Sequence, residues 1–212
     1  MTRKYLFAIA MTVATLIATA IAYPHLPATV TTHWDINGRP NGFSAKWMLF
    51  LVPGLMAGLI TLTWRLPWLS PKQFEVDDFR LTSGYLMVIT VGLLAYVDAL
   101  ILWNGLGHEF GISRAAMVGA AVFLMLLGNV MGKVRRNFYI GVRTPWALAN
   151  ERVWNATQRV AAKAFVVAGF VGVVLTLLGL QLWFLAAIAV GALIPVGYSL
   201  YFYKLLERRG EL

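Results

Sequence analysis

Leu81-Thr-Ser-Gly-Tyr-Leu-Met-Val-Ile-Thr-Val-Gly-Leu-Leu-Ala-Tyr-Val-Asp98-Ala-Leu-Ile-Leu-Trp103 holds a single charged side chain, Asp98. As a helix, rising about 1.5 Å per residue, this run is long enough to cross a hydrocarbon core of roughly 30 Å. Five more blocks share its character: Leu6–Tyr23, Trp47–Trp64, Ala115–Met131, Phe165–Leu180 and Leu182–Tyr203. Of the 212 residues 59% are hydrophobic and 13% charged, where a soluble domain carries about a quarter charged residues. An ordinary soluble enzyme is therefore excluded. The expected fold is all-α, a polytopic membrane helix bundle of six spans forming one integral-membrane domain over residues 1–212. The chain has no cysteine, so disulfides, thiol nucleophiles and cysteine-ligated metals are excluded as well.

The net charge of +9 is an orientation signal rather than a nucleic-acid footprint, because the basic residues are sorted between loops. Arg3 and Lys4, then Arg65, Lys72 and Arg80, then Lys133, Arg135, Arg136, Arg143, Arg152, Arg159 and Lys163, and finally Lys204, Arg208 and Arg209 fall on one side of the six spans. Only Arg39, Lys46 and Arg114 fall on the other. Positive charge accumulates on the cytoplasmic side, so both termini are expected there. The first block resembles a signal peptide, with Ala18-Thr19-Ala20 near its end, but it exceeds the usual ~7–15 apolar residues and is expected to be a retained helix. Tyr23, Trp47, Trp64 and Trp103 sit at span ends, where amphipathic rings anchor at headgroup depth. The pairs Gly54/Gly58 and Gly128/Gly132 have the spacing that allows close helix approach, and Pro53 and Pro195 are expected to kink their spans.

The outer loop, residues 24–46, opens with the β-branched and aromatic run Thr29-Val-Thr-Thr-His33-Trp34. Asn37-Gly38 and Asn41-Gly42 follow it, and both are turn signals. This predicts a small extracytoplasmic hairpin, with Thr31, His33 and Asp35 on one face by the two-residue period of a strand. His25, His33 and His108 all lie on this side, near Asp35 and Glu109 in sequence. Two readings stand: a Zn²⁺ site built from imidazoles and carboxylates, or local hydrogen bonds holding a loop over the bundle. No H-E-x-x-H spacing supports the first, and no metal or cofactor is expected. Asp98 lies about 7–8 Å below Trp103 by helical rise. A carboxylate at that depth must face the bundle interior or water, either to line a polar pocket and relay protons or to make a structural hydrogen bond.

The cytoplasmic loop, residues 132–163, contains Asn137-Phe-Tyr-Ile-Gly141-Val-Arg143-Thr144-Pro145-Trp146-Ala-Leu148, then Asn150-Glu-Arg-Val-Trp154-Asn-Ala-Thr157-Gln158-Arg159. Asn150 followed by Glu151 signals a helix start, and no breaker separates it from the fifth block. The helix is therefore expected to run from about Arg152 into that span, with Trp154, Gln158 and Ala161 on one stripe. Thr144 before Pro145 is a second, weaker cap. Together with Gly128 and Asn129, the pattern through Asn137, Gly141, Arg143, Thr144, Pro145, Trp146, Leu148, Trp154, Thr157 and Arg159 resembles the SdpI family of bacterial toxin-immunity integral membrane proteins. The outer segment from Leu26-Pro27 through His33-Trp34-Asp35 to Gly38 and Gly42 is similar to the N-terminal domain of unknown function that accompanies this family.

The resemblance implies a protein of the bacterial cytoplasmic membrane that gives resistance to a secreted membrane-active peptide. It also implies a sensor that holds a cytoplasmic transcriptional repressor at the membrane. On this reading the outer contact uses His33, Trp34, Asp35 and Asp98. The partner-binding face uses Asn129, Asn137, Gly141, Arg143, Thr144, Pro145, Trp146, Trp154 and Arg159, with Trp146 and Trp154 exposed on a basic platform. A purely structural role for the motif stays equally open. Membrane lipid is the remaining partner; direct nucleic-acid binding is not expected. Two alternatives remain: a small transporter using Asp98 with Tyr96 or Asn104 nearby, and a metal-dependent outer-face enzyme using His33, Asp35 and His108. No nucleophile triad, phosphate loop or carboxylate pair supports catalysis, so no enzyme activity is expected.

Overall fold

The computed structural model describes residues 3–69, 80–108, 111–137 and 139–212, with residues 80 and 81 described by their backbone. The expected Lys72 and Glu109 lie outside the described residues. In chain order the elements are α1 (Arg3–Ala22), β1 (Thr29–Trp34), β2 (Pro40–Ala45), α2 (Leu51–Leu69), α3 (Arg80–Gly105), α4 (Ile112–Met131), α5 (Pro145–Ala149), α6 (Glu151–Leu177) and α7 (Gln181–Arg208). Every helix except α5 is long and apolar enough to cross a membrane, which makes six spans among the described residues. Leu6, Phe7, Ile17, Leu55, Leu62, Val167, Phe170, Leu182, Leu193 and other large apolar side chains are exposed. So much outward apolar surface is what lipid contact requires. The protein is an integral membrane protein.

The helices form two groups of three. α1, α2 and α3 pack on one another, α6 packs along both α4 and α7, and the groups meet along α3 and α4. Ala8, Met56, Ile60, Met87 and Val91 fill the first group. In the second, glycine lets the backbones touch: a Cβ on Gly128 would lie 2.8 Å from the Ala162 carbonyl, and one on Gly169 would lie 2.6 Å from the Ala121 carbonyl. Among the described residues the expected Gly54/Gly58 contact is not made, since none of them comes within 4 Å of a Cβ at either. These two glycines are on the outward face of α2, opposite the buried Pro53, Met56 and Ile60. Pro53 falls in the first turn, where its missing N–H costs no internal bond, so it gives no cause for a kink. α7 carries on through the buried Pro195, which leaves the Gly191 carbonyl without its usual amide.

The hairpin and the 132–150 loop lie at opposite ends of the bundle. The Ser113 hydroxyl, at the start of α4, donates to the Asp35 carbonyl (3.2 Å), while the Tyr139 hydroxyl donates to the Leu69 carbonyl at the far end of α2 (3.1 Å). Lys46 fastens the hairpin to α1. Its ammonium donates to the Tyr23 and Leu26 carbonyls (3.0 Å each), placing positive charge where the helix dipole is negative.

Candidate functional site

At the loop end the segment after α4 is folded back onto α6 and α7 by buried polar side chains. Asn137, fully buried, donates to the Arg135 and Ile140 carbonyls (2.7 and 3.1 Å). Its oxygen accepts from the Tyr139 and Ile140 amides (2.7 and 2.8 Å). Four bonds satisfy one short amide and fix the turn. Two residues on, the Gln158 side chain matches the backbone of Val142, accepting from its N–H and donating to its carbonyl, both at 3.1 Å. Gly141 lies between these clamps at φ +121°, and a Cβ there would meet the Trp154 ring at 2.9 Å and the Gln158 oxygen at 3.1 Å. Only glycine meets both demands.

Trp154 is the floor of this loop. Its indole N–H donates to the Val134 carbonyl (2.8 Å), and its ring packs with Met131, Val134, Ala147, Phe165 and Leu206. The expectation of an exposed Trp154 is therefore corrected: it is 0% exposed. Trp146 is half-buried against the same cluster. Thr144 caps α5 by accepting from the Ala147 amide (3.2 Å) and donates to the Ser199 hydroxyl on α7 (2.9 Å). Asn150 caps α6 by accepting from the Arg152 and Val153 amides (2.9 and 3.2 Å), so α6 begins about 14 residues, or roughly 21 Å, ahead of the apolar block at Phe165. Among the motif residues, Asn129, Arg143, Pro145 and Arg159 remain on the surface. Asn137, Gly141, Thr144 and Trp154 come together as the clamp.

Sequence reading placed Gln158 on one stripe with Trp154 and Ala161 but missed its pairing with Val142; an amide one turn from Trp154 on an apolar face is the signal for a buried backbone partner. Ser199 carried no such signal.

At the hairpin end β1 and β2 are antiparallel, with Thr31 opposite Phe43, His33 opposite Gly42 and Trp34 opposite Pro40. Register irregularities between Thr31 and His33 and between His33 and Trp34 break the expected alternation of Thr31, His33 and Asp35. The turn is made once, around Asn37-Gly38. The Asp35 carboxylate accepts from the Asn37 and Arg39 amides (2.9 and 2.8 Å), and Gly38 takes φ +85°. Asn41-Gly42, expected as a turn, lies inside β2. Gly42 leaves room for His33, whose Cβ would be 2.7 Å from a Cβ on that glycine. The His33 imidazole bonds the Asn41 side chain, and His108 stacks on Trp103 with centroids 4.2 Å apart. Among the described residues no three His, Asp or Glu side chains gather at metal-binding distances. His33, Asp35 and His108 thus have separate local partners.

Beneath the hairpin lies a cavity of about 500 Å³ between α3, α4 and α7, roofed by Trp34 and Ile36 and lined by Leu100, Ile101, Met117 and Phe184. Asp98 does not line it. The carboxylate is 1% exposed and accepts one bond, from the Thr19 hydroxyl of α1 (3.1 Å); among the described residues its second oxygen has no partner. It faces the bundle interior as expected, but away from the hairpin's cavity. A half-satisfied buried carboxylate is a net cost. Replacing it with the similarly sized Asp98→Leu is expected to raise stability by about 1–3 kcal/mol, measured by SDS titration of helical circular dichroism.

Six spans, a hairpin closing one end and a hydrogen-bonded loop closing the other define a polytopic membrane protein with two differently built ends. The SdpI/YfhL protein family model matches residues 133–199, which cover the clamp, α6 and most of α7. A domain of unknown function, DUF1648, matches residues 10–57, from α1 through the hairpin into α2. The chain is 29% identical over 174 residues to "Immunity protein SdpI" of Bacillus subtilis (strain 168), covering 82% of each chain. Over residues 133–199 the chain is similar to the SdpI/YfhL protein family. No solved structure matches it.

Proposed function

We propose that this is an immunity protein of the bacterial cytoplasmic membrane that protects its host from a secreted membrane-active peptide met at the hairpin end. The observation that carries this reading is the similarity to a named immunity protein over 82% of both chains, a match too long to reflect shared hydrophobicity in one span. The sorting of Lys and Arg supports an orientation with both termini and the clamped loop in the cytoplasm and His33, Trp34 and Asp35 outside. The surface side chains Asn129, Arg143, Pro145 and Arg159 then form the face for a cytoplasmic partner, of which a transcriptional repressor is one class. Asn137, Thr144, Gly141 and Trp154 act on that face indirectly, by holding the loop in shape. No observation favours the transporter reading, because Asp98 is sealed between α1 and α3.

Expression in a peptide-sensitive bacterium tests the reading: survival is expected to rise at least ten-fold over the empty vector. No gain in survival by a membrane-inserted protein would overturn it. Orientation is tested separately, since the chain lacks cysteine. A membrane-impermeant maleimide is expected to label Arg39→Cys in intact cells and Arg143→Cys only after lysis; labelling of both in intact cells would overturn the assignment of sides.

A further inference from the structure

One edge of the hairpin borders the cavity beneath it. The consecutive residues from Thr32 to Ile36 line that space together with α3, α4 and α7, and no residue of β2 does. A strand that turned only one face to the cavity would contribute alternate residues. An unbroken run means that its backbone edge lies along the space. The ladder shows which groups sit on that edge. The Lys46 amide donates to the Ala28 carbonyl (3.0 Å) at one end and the Asp35 amide to the Arg39 carbonyl (2.9 Å) at the other. By the alternation of an antiparallel pair, the amides and carbonyls of Thr31 and Trp34 then point away from β2. Among the described residues no backbone group outside the hairpin bonds them. The outer edge of β2 is built differently. Its corresponding positions are Phe43 and Pro40, opposite Thr31 and Trp34, and Pro40 has no N–H to offer, which is one way of closing an edge to further strands. β1, Thr29-Val-Thr-Thr-His-Trp34, has no such guard.

We propose that the free edge of β1, from Thr31 to Trp34, takes an extended segment of the membrane-active peptide as a third strand, with apolar side chains of that segment seated among Leu100, Ile101, Met117 and Phe184. This mode of capture rests on the immunity function proposed above and states how the peptide is held. The edge decides between occupants. An acyl chain, or a helix whose backbone is already paired, would cover the Thr31 and Trp34 groups without bonding them, at the cost of burying unpaired amides and carbonyls. A strand pairs them and has its own groups on that side paired in return. The α3, α4 and α7 walls are apolar apart from Ser113, which suits the inward face of an amphipathic strand. A two-stranded hairpin is marginal by itself, so the added strand also steadies β1 and β2.

The test uses the full chain in nanodiscs and a defined probe: a peptide of about eight residues, alternating leucine and threonine, with a photoreactive diazirine on one leucine. Crosslinks are mapped by mass spectrometry. The probe is expected to label Leu100, Met117 and Phe184 roughly ten-fold more than the same peptide N-methylated throughout, which keeps the side chains and lacks every N–H. Thr31→Pro removes an outward N–H from β1 and leaves the ladder to β2 in place. It is expected to lower the labelling about five-fold at unchanged helix content, while Phe43→Pro, the same change on the far edge, stays at the wild-type level. Should Thr31→Pro misfold, Trp34→Pro is compared with Trp34→Ala; both lose the indole and only the first loses the edge N–H, so the Pro variant is expected to label less. No labelling of these residues by the unmodified probe, equal labelling by the two peptides, or equal losses in Thr31→Pro and Phe43→Pro overturns the proposal. Labelling of the same residues by a photoreactive phosphatidylglycerol chain that the probe does not displace overturns it too, and gives the cavity to lipid. The survival assay separates this proposal from the immunity function. Full protection by Thr31→Pro overturns the strand contact alone, whereas probe pairing at Thr31 in a wild-type protein that protects no host overturns the immunity function and leaves the strand site standing.

Discussion

Trp154→Ala is expected to destabilise the protein by about 3–5 kcal/mol, the range for deleting a fully buried tryptophan. The ring is enclosed by residues from α4, the loop, α6 and α7, so the hole it leaves is bounded by four segments that cannot all close at once. Its N–H is also the hydrogen-bond donor to the Val134 carbonyl, just where the chain leaves α4. Trp154→Phe separates the two effects. It keeps most of the packing and strands the carbonyl, for an expected loss of about 1–3 kcal/mol. SDS titration followed by circular dichroism measures both, and the Ala variant is expected to lose protection in the survival assay as well. Equal losses for the two variants would mean that the hydrogen bond, and not the ring, holds the loop.

The second large effect is at Gly141. Gly141→Ala places a methyl 2.9 Å from the Trp154 ring at φ +121°. The expected cost is about 2–6 kcal/mol, composed of roughly 1–3 for the backbone and roughly 1–3 for overpacking. Gly38→Ala is the comparison. It shares a positive φ of 85° but meets nothing nearer than 3.7 Å, so its loss is expected to stay near 1–2 kcal/mol. The same titration reads both, and similar losses would show that the backbone conformation dominates and the tight contact with Trp154 contributes little.

The six spans were legible because a run of apolar residues has one stable use in a membrane. The start of α6 was legible from Asn150, whose side chain caps two amides as the sequence implied. The hairpin was legible as a hairpin, yet the choice between two Asn-Gly pairs was not. It is decided by the Asp35 carboxylate gathering the amides of Asn37 and Arg39, a contact that turn propensity does not encode. Trp154 was misread for a related reason: a tryptophan beside arginines suggests a binding surface, and only the Gln158 pairing one turn away reveals that this face points inward. Gly54 and Gly58 show the opposite error, a packing pattern with nothing across from it among the described residues. The cavity at the hairpin end was not legible as a cavity, because its lining brings His33, Trp34 and Asp35 of the hairpin together with apolar residues of α3, α4 and α7 that are far apart in sequence.

The grouping of helices sets an order of assembly. A chain threaded into the membrane from its N-terminus delivers α1, α2 and α3 first, and these already have their mutual partners. α4 arrives without its main one, because Gly128 waits for Ala162 and Val134 waits for the indole of Trp154. The segment after α4 leaves the ribosome before the helix that shapes it, so the loop acquires its form only when α6 and α7 have been synthesised. A truncated product ending before α6 would therefore insert its first four spans and still lack the folded loop, making that loop a marker of completed synthesis.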